Sequence, residues 1–281
     1  MKIALLGVGR MGHELGVHLL TANHEVSAWN RTPARVDRLV EAGATRAESP
    51  EDAVRDADVV LTVLFGPDTV REVVLSGLDL PADAVWLDVT TVSPADALEF
   101  TDYATAAGIR YVHGPVIGSL APARAGRLGV MLGGADADLD VVEPLAALWA
   151  DDERLRRVQT PAAAATGKLL ANLALGVTLQ GLVEALRLGK ANGLDAAAVL
   201  EQLEGTGLAV IAGMKGAVIT GGTFEDTQFS ADLLAKDLRL MLRSSEDPLP
   251  AVTAALQSLT DAQRSGSGDD DIAVIAKPEL G

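Results

Sequence analysis

The sequence predicts an α/β protein: a doubly wound, mostly parallel sheet flanked by helices, followed by an all-helical region. Three observations predict it. From residue 2 to about 135, apolar runs ("KIALLG", "EVSAW", "DVVLTVL", "AVWLDV", "LGVMLGG") alternate with helix-like stretches. Unbroken apolar strands of this kind suit a parallel sheet covered on both faces. After residue 160 no strand-like run recurs, and alanine- and leucine-rich helical segments take over. A glycine-rich turn, "GVGRMG" at 7–12, joins the first apolar run to the first helix-like stretch.

The first strand is expected at 2–6, a helix at 11–22 and a second strand at 25–29. That flanking is what G-x-G-x-x-G needs to act as a dinucleotide fingerprint rather than a flexible link. Gly7 permits the tight turn, Gly9 lets a pyrophosphate approach the backbone, and Gly12 lets helix and strand pack closely. The helix N-terminus then faces the phosphates. Arg10 and Met11 lie inside this turn. At the end of the second strand NAD-binding chains carry a carboxylate for the ribose hydroxyls, whereas this one reads "WNRT". Asn30, Arg31 and Thr32 offer an amide, a guanidinium and a hydroxyl. That set suits a 2′-phosphate, so NADP(H) is the expected cofactor.

Thr160 followed by Pro161 fits an N-cap and first helical position, and Gly193 fits a C-terminal cap. One helix over 161–191 follows, about 45 Å long at 1.5 Å per residue. It is apolar on every side and must be surrounded by protein, which leads us to expect a homodimer or tetramer. Further helices are expected at 195–204, 206–219, 230–245 and 249–264, with "SGSGDDD" ending them. The domains expected are 1–160, binding NADP, and 161–281, helical, for substrate and dimerisation. Lys168 and Asn172 stand four apart on the long helix and share one face, presenting a cation and an amide to a carbonyl or hydroxyl oxygen.

Composition bounds the alternatives. The 281 residues are 48% hydrophobic, with 23 basic against 39 acidic side chains and a net charge of −16. That charge repels nucleic acid and anionic lipid, so neither is an expected partner. No cysteine is present, which excludes disulfides and thiol chemistry and is compatible with a reducing cytoplasm, the expected location. The opening "MKIALLG" breaks at glycine too early for a signal peptide. The apolar stretch at 169–188 contains Asn172, Gln180 and Glu184 and follows Lys168, so it reads as a buried helix rather than a membrane span.

"GVGRMG", "WNRT", "DVTTVSP", "GPVIGSLAPARAGRL", "GKLLAN" and "KDLRLML" occur in that order. Together they make the chain resemble the β-hydroxyacid dehydrogenase family, and within it the NADPH-dependent glyoxylate/succinic semialdehyde reductases and 3-hydroxyisobutyrate dehydrogenases. The resemblance spans nearly the whole chain, down to "GSGDDDIAVI". It implies an N-terminal Rossmann domain, a long interdomain helix and an all-helical C-terminal domain. It also implies that Lys168 is the catalytic lysine, that Asn172 orients substrate and that Thr91 lies near nicotinamide and substrate. Gly118 and Ser119 would hold the substrate carboxylate through backbone N–H groups. Phe229, Lys236 and Asp237 would complete the closed site, with Lys236 near both cofactor and substrate, and Leu64 would be a further cofactor contact.

The implied reaction is hydride transfer between NADPH and a small aldehyde or keto acid, with Lys168 giving or taking the proton. Burial and a second cation such as Lys236 would lower the lysine pKa toward the working range. Two departures stand out. Ile117 occupies the place of the usual substrate-binding serine, which weakens the grip on a small acid by about 1–3 kcal/mol and admits a bulkier or less polar carbonyl. Alanines replace glycines in "PAAAATGK", with Gly167 keeping some backbone freedom.

Two alternatives remain open: an imine reductase, although those usually replace the lysine, and a non-catalytic NADP-binding scaffold. His13, His18, His24 and His113 lack metal spacing and read as surface or core histidines. Only His113, beside the substrate loop, is worth testing as an acid. Asp269, Asp270 and Asp271 read as a solvated tail. Arg124 and Arg127 are either anion attractors or exposed charges.

Overall fold

The computed structural model describes residues 1–280, which form two compact units, Met1–Lys168 and the chain from Leu169 onward. Gly281, the last residue of the expected helical domain, lies outside the described residues. The expected division at 160/161 falls at the start of the long helix, whereas the first compact unit includes that helix's first eight residues.

The first unit runs β1 (Lys2–Leu6), α1 (Arg10–Thr21), β2 (Glu25–Trp29), a 3-10 turn at Pro33–Val36, α2 (Asp37–Glu41), β3 (Thr45–Arg46), α3 (Pro50–Val54) and β4 (Val59–Thr62). It continues through α4 (Pro67–Val70), which widens into a π turn at Arg71–Leu75, then β5 (Val85–Asp88), α5 (Pro94–Ala107), β6 (Arg110–His113), β7 (Val116–Ile117) and α6 (Leu120–Arg124). It closes with β8 (Leu128–Gly134), α7 (Asp136–Ala146), β9 (Ala150–Val158) and the start of α8 (Pro161–Ala191).

Strands β3-β2-β1-β4-β5-β6 lie side by side, all parallel. This is the Rossmann order, and it opens a ligand crevice where the winding reverses, between β1 and β4. Alternate residues of each strand enter different cores, as a period of two requires. Ile3 and Leu5 join Leu15, Leu61, Leu87 and Trp149 on one face. Ala4 and Leu6 join Val60, Trp86 and Phe100 on the other.

Beyond β6 the sheet departs from expectation. "LGVMLGG" forms β8 but runs antiparallel to β6 and β7. The short β3, β6 and β7 escape an apolar-run reading, and so does β9, "ADDERLRRV". Charged side chains are tolerated in β9 because it pairs only with β8 and most of it faces water. Arg157 there pairs with Asp140 and Glu143 of α7.

The second unit holds the remainder of α8, then α9 (Ala196–Gln202), α10 (Ala209–Gly221), α11 (Ala231–Arg243), α12 (Pro250–Arg264) and a 3-10 helix at Ile272–Glu279. Leu179, Leu182, Ile219, Leu234, Leu238, Leu259 and Ile272 form its core. The ends of α8 follow the expected signals. Ala163 N–H donates to Thr160 Oγ1 at 3.1 Å, and Gly193 takes φ +83° just past the last turn. By length and composition α8 could cross a membrane, but its polar Lys168, Asn172 and Gln180 are buried within the protein.

The acidic run corrects the expectation of a solvated tail. Asp269 is exposed, but Asp271 is fully buried. Its carboxylate pairs with the buried Lys215 of α10 at 2.8 Å and accepts the N–H groups of Ala273 and Gln228. A buried charge persists only with such partners.

Two outcomes follow for stability. Asp271→Ala strands the Lys215 ammonium and is expected to cost about 3–5 kcal/mol in urea unfolding. In α5, burial raises the Asp96 pKa, but hydrogen bonds from the Ser93 hydroxyl and backbone and the Arg71 ion pair outweigh it, so the net shift is downward. The Asp96 contribution is therefore complete above the ordinary value of 3.8 and lost as pH falls through the lower folded value. The stability gap between wild type and Asp96→Asn, measured by urea titration across pH, should be constant above that range and shrink below it.

Candidate functional site

The turn between β1 and α1 is built by side-chain absence. Gly7 has φ +105°, and a Cβ there would overlap Val63 O. A Cβ on Gly12 would overlap Gly7 O, so α1 crosses β1 at backbone contact distance. At Gly9 nothing lies within 4 Å of where a Cβ would stand. Gly9 is also the N-cap of α1, and no side chain caps the helix. A side-chain-free cradle at an uncapped helix N-terminus, beside the switch point, fits the pyrophosphate of a dinucleotide. Met11 is half-buried in the first turn of α1, and Arg10 is exposed.

Asn30 ties this turn to the next loop. Its Oδ1 accepts Val8 N–H at 3.0 Å and its Nδ2 donates to Thr32 O at 3.0 Å. Much of its hydrogen bonding is thus structural. Arg31 is 74% exposed, with Glu72, 62% exposed, 3.4 Å away, a pair worth little in water. Its guanidinium is accessible to an anion.

A polar row that the sequence reading missed crosses the carboxyl ends of three strands. Thr62, Asp88 and His113 are register partners on β4, β5 and β6, and all are fully buried. Asp88 Oδ1 accepts Thr62 Oγ1–H at 2.7 Å and Thr90 N–H at 3.0 Å. Trp86 Nε1–H donates to Thr62 Oγ1, and His113 Nδ1 lies 3.5 Å from Asp88 Oδ2. Burial and the Asp88 carboxylate push the Tyr111 phenol well above its ordinary range. Thr90 Oγ1 in turn accepts Leu64 N–H at 3.0 Å. The row therefore ties the loop after β4, at Leu64, to the loop after β5, which carries Thr91 next to Thr90. Threonine and aspartate interrupting the apolar runs at 62 and 88 were the available signal. His113 is a core residue of this row.

The turn expected to bind substrate, Gly118–Ser119, follows β7. Gly118 takes φ +137°, and a Cβ there would meet Leu128 Cδ2 at 2.7 Å, so only glycine fits. Ser119 is half-buried and makes no side-chain cap to α6. Arg124 pairs with Glu14 at 3.1 Å, while Arg127 is exposed.

Lys168 is only 7% exposed. Gly167 before it matters for closeness rather than for backbone freedom: a Cβ there would lie 2.5 Å from Met131 Sδ of β8. Asn172 is buried one turn further along α8. Within the second unit Asp237 is a hub, accepting from Asn172 Nδ2 at 2.6 Å and pairing with Lys236 Nζ at 2.6 Å. The second cation expected here, Lys236, therefore has a carboxylate beside it. Phe229 is half-buried on the segment whose N–H groups face Asp271. Among the described residues no group of three or more His, Cys, Asp or Glu could hold a metal ion.

Residues 2–158 match the family model described as the NAD-binding domain of 6-phosphogluconate dehydrogenase, and 162–278 match that described as the NAD-binding domain of NADP-dependent 3-hydroxyisobutyrate dehydrogenase. The chain belongs to the β-hydroxyacid dehydrogenase family. It is an NAD(P)-dependent oxidoreductase.

A relative in Pseudomonas aeruginosa, an NAD-dependent L-serine dehydrogenase, is 30% identical over 98% of this chain and 97% of its own. Glyoxylate/succinic semialdehyde reductase 1 of Arabidopsis thaliana is 28% identical over 98% and 97%. The fold is shared with Psf3, solved in complex with NADP+ and 2-OPP, at a TM-score of 0.84 and 23% identity over 98% of this chain and 99% of that one.

The cradle separates two kinds of glycine. Gly9→Ala should fold with nearly wild-type thermal stability yet bind dinucleotide at least about tenfold more weakly by fluorescence titration, its methyl standing where the pyrophosphate approaches. Gly12→Ala should lose stability as well as binding.

Proposed function

We propose that this protein is an NADPH-dependent reductase of small aldehydes or keto acids, running in reverse on β-hydroxy acids, with Lys168 as proton donor and acceptor. The observation that carries this reading is the buried Lys168, held against the sheet by the contact between Gly167 and Met131, in the same compact unit as the glycine cradle.

Gly7, Gly9, Arg10, Met11 and Gly12 would hold the pyrophosphate region of the cofactor, with Leu64 and Thr91 on the crevice loops. Arg31 with Thr32 would bind the 2′-phosphate, the basis for preferring NADP. A bound nicotinamide dinucleotide supplies the hydride, or takes it up in the oxidative direction. As negative charge builds on the carbonyl oxygen, the Lys168 ammonium hydrogen-bonds to it and delivers the proton. In the reverse direction the neutral amine removes the hydroxyl proton. Asn172, oriented by Asp237, would position the substrate oxygen, and the Gly118–Ser119 turn the far end of the substrate.

The lysine favours this reading over imine reduction or a non-catalytic scaffold. Exposed Leu170, Leu188, Val210 and Met214 on α8 and α10 support self-association as a dimer or tetramer. The charge of −16 supports a small-molecule partner rather than nucleic acid or anionic membrane, and the absence of cysteine is compatible with a cytoplasmic setting.

Lys168→Ala is expected to lower kcat about 100- to 10,000-fold in NADPH oxidation with a carbonyl panel while leaving NADPH binding intact. Undiminished turnover defeats the assignment. Arg31→Ala should raise the NADPH KM about 10- to 100-fold and leave that for NADH unchanged, as loss of a bond to a charged phosphate requires. An enzyme that works better with NADH refutes the cofactor preference.

A further inference from the structure

The pairing of β9 with β8 is broken by a bulge. Leu128 pairs with Ala150 and Val130 with Leu155, so residues 151–154 of β9 stand opposite the single residue Gly129. Glu153 N–H donates to Asp151 Oδ1 at 3.1 Å within it. Bulges of this kind re-aim side chains. Here the side chain is Arg154, whose Nη2 lies 3.0 Å from where a Cβ of Gly129 would stand; the Cβ of Ile117 is 3.3 Å from that same point. The missing side chain at 129 leaves room for the guanidinium beside the residue that replaces the usual serine.

Gly129, Met131 and Gly133 alternate onto one face of β8. That face meets the start of α8: Met131 reaches Gly167, and Gly133 packs on Thr160. Arg154 therefore occupies the face that leads to Lys168, next to the Gly118–Ser119 turn. Its hydrogen bond to Arg127 O is long, 3.5 Å, and no carboxylate pairs with it among the described residues, although acids outnumber bases 39 to 23 in the sequence. Arg110, Arg124 and Arg157 are paired with acids, whereas among the described residues Arg127 and Arg156, exposed like Arg154, are not; of these three, the guanidinium placed beside Ile117 is that of Arg154.

We propose that Arg154, aimed by the β9 bulge across Gly129 toward Ile117, recognises the carboxylate of the carbonyl substrate. A guanidinium fork matches a carboxylate in two parallel bonds and replaces the hydroxyl lost at 117. The substrate class is then an aldehyde or ketone bearing a carboxylate, rather than the less polar compounds that Ile117 alone admits. This assignment rests on the carbonyl-reductase reading.

The test compares wild type, Arg154→Ala and Arg154→Lys on succinic semialdehyde and its uncharged methyl ester. The NADP+-loaded proteins are also titrated with succinate by calorimetry. Arg154→Ala should raise the KM for the acid about 10- to 100-fold, leave kcat and both ester constants within about twofold, and weaken succinate binding in proportion. Arg154→Lys should recover part of the loss, as a point charge without the fork. Equal losses on acid and ester, or succinate binding that is absent or insensitive to the substitution, overturn the proposal. Succinate binding that depends on Arg154 in a protein that reduces neither compound upholds the carboxylate site and refutes the reductase.

Discussion

The contact on which the first unit depends is the crossing of α1 over β1, where Gly12 touches the carbonyl of Gly7 with no atom to spare. A side chain at Gly12 would push the helix off the strand, and one at Gly7 would collide with the Val63 carbonyl of the loop after β4. The close crossing places the uncapped N-terminus of α1 at the carboxyl edge of the sheet, where the winding reverses between β1 and β4. Backbone N–H groups that would cost free energy in a buried, unpartnered setting become donors for an anion. The anion binding proposed for this turn would thus be a consequence of packing.

The same edge is stiffened from below by the Thr62–Asp88–His113 row. Its groups are fully buried; Asp88 Oδ1 and the Thr62 hydroxyl are hydrogen-bonded, whereas Asp88 Oδ2 and both His113 ring nitrogens make no hydrogen bond among the described residues. Asp88 spends its Oδ1 on Thr62 and the Thr90 backbone, and Thr90 passes the constraint to Leu64. Two loops leaving adjacent strands are thereby tied, directly or through Thr90, to one carboxylate.

Charge is handled locally in a chain that is strongly acidic as a whole. Lys215 and Lys236 each meet a buried carboxylate, Asp271 and Asp237. These pairs organise the helical unit: Asp271 joins α10 to the last 3-10 helix, and Asp237 orients Asn172 from across the bundle. Arg154, like Arg127 and Arg156, has no carboxylate partner among the described residues, and the β9 bulge aims it across Gly129 toward Ile117, at the turn where we propose that a substrate acid binds.

Much was legible in the primary structure, because it is written in local chemistry. The glycine spacing at 7–12, the limits of the helix at 161–191 and the apolar runs of β1, β2, β4 and β5 follow from steric freedom, capping and burial, which act over a few residues. The pairing of Lys168 with Asn172 on one helix face is equally local. What stayed hidden depends on partners distant along the chain. β9 reads as a charged loop until β8 satisfies its backbone, and Asp271 reads as a tail residue until Lys215, 56 positions earlier, neutralises it. Asp88 and Arg154 likewise acquire their roles only from neighbours on adjacent strands. Propensity and spacing determine which segments become helix or strand, but burial and charge pairing are properties of the assembled sheet and bundle, and only there could those roles be decided.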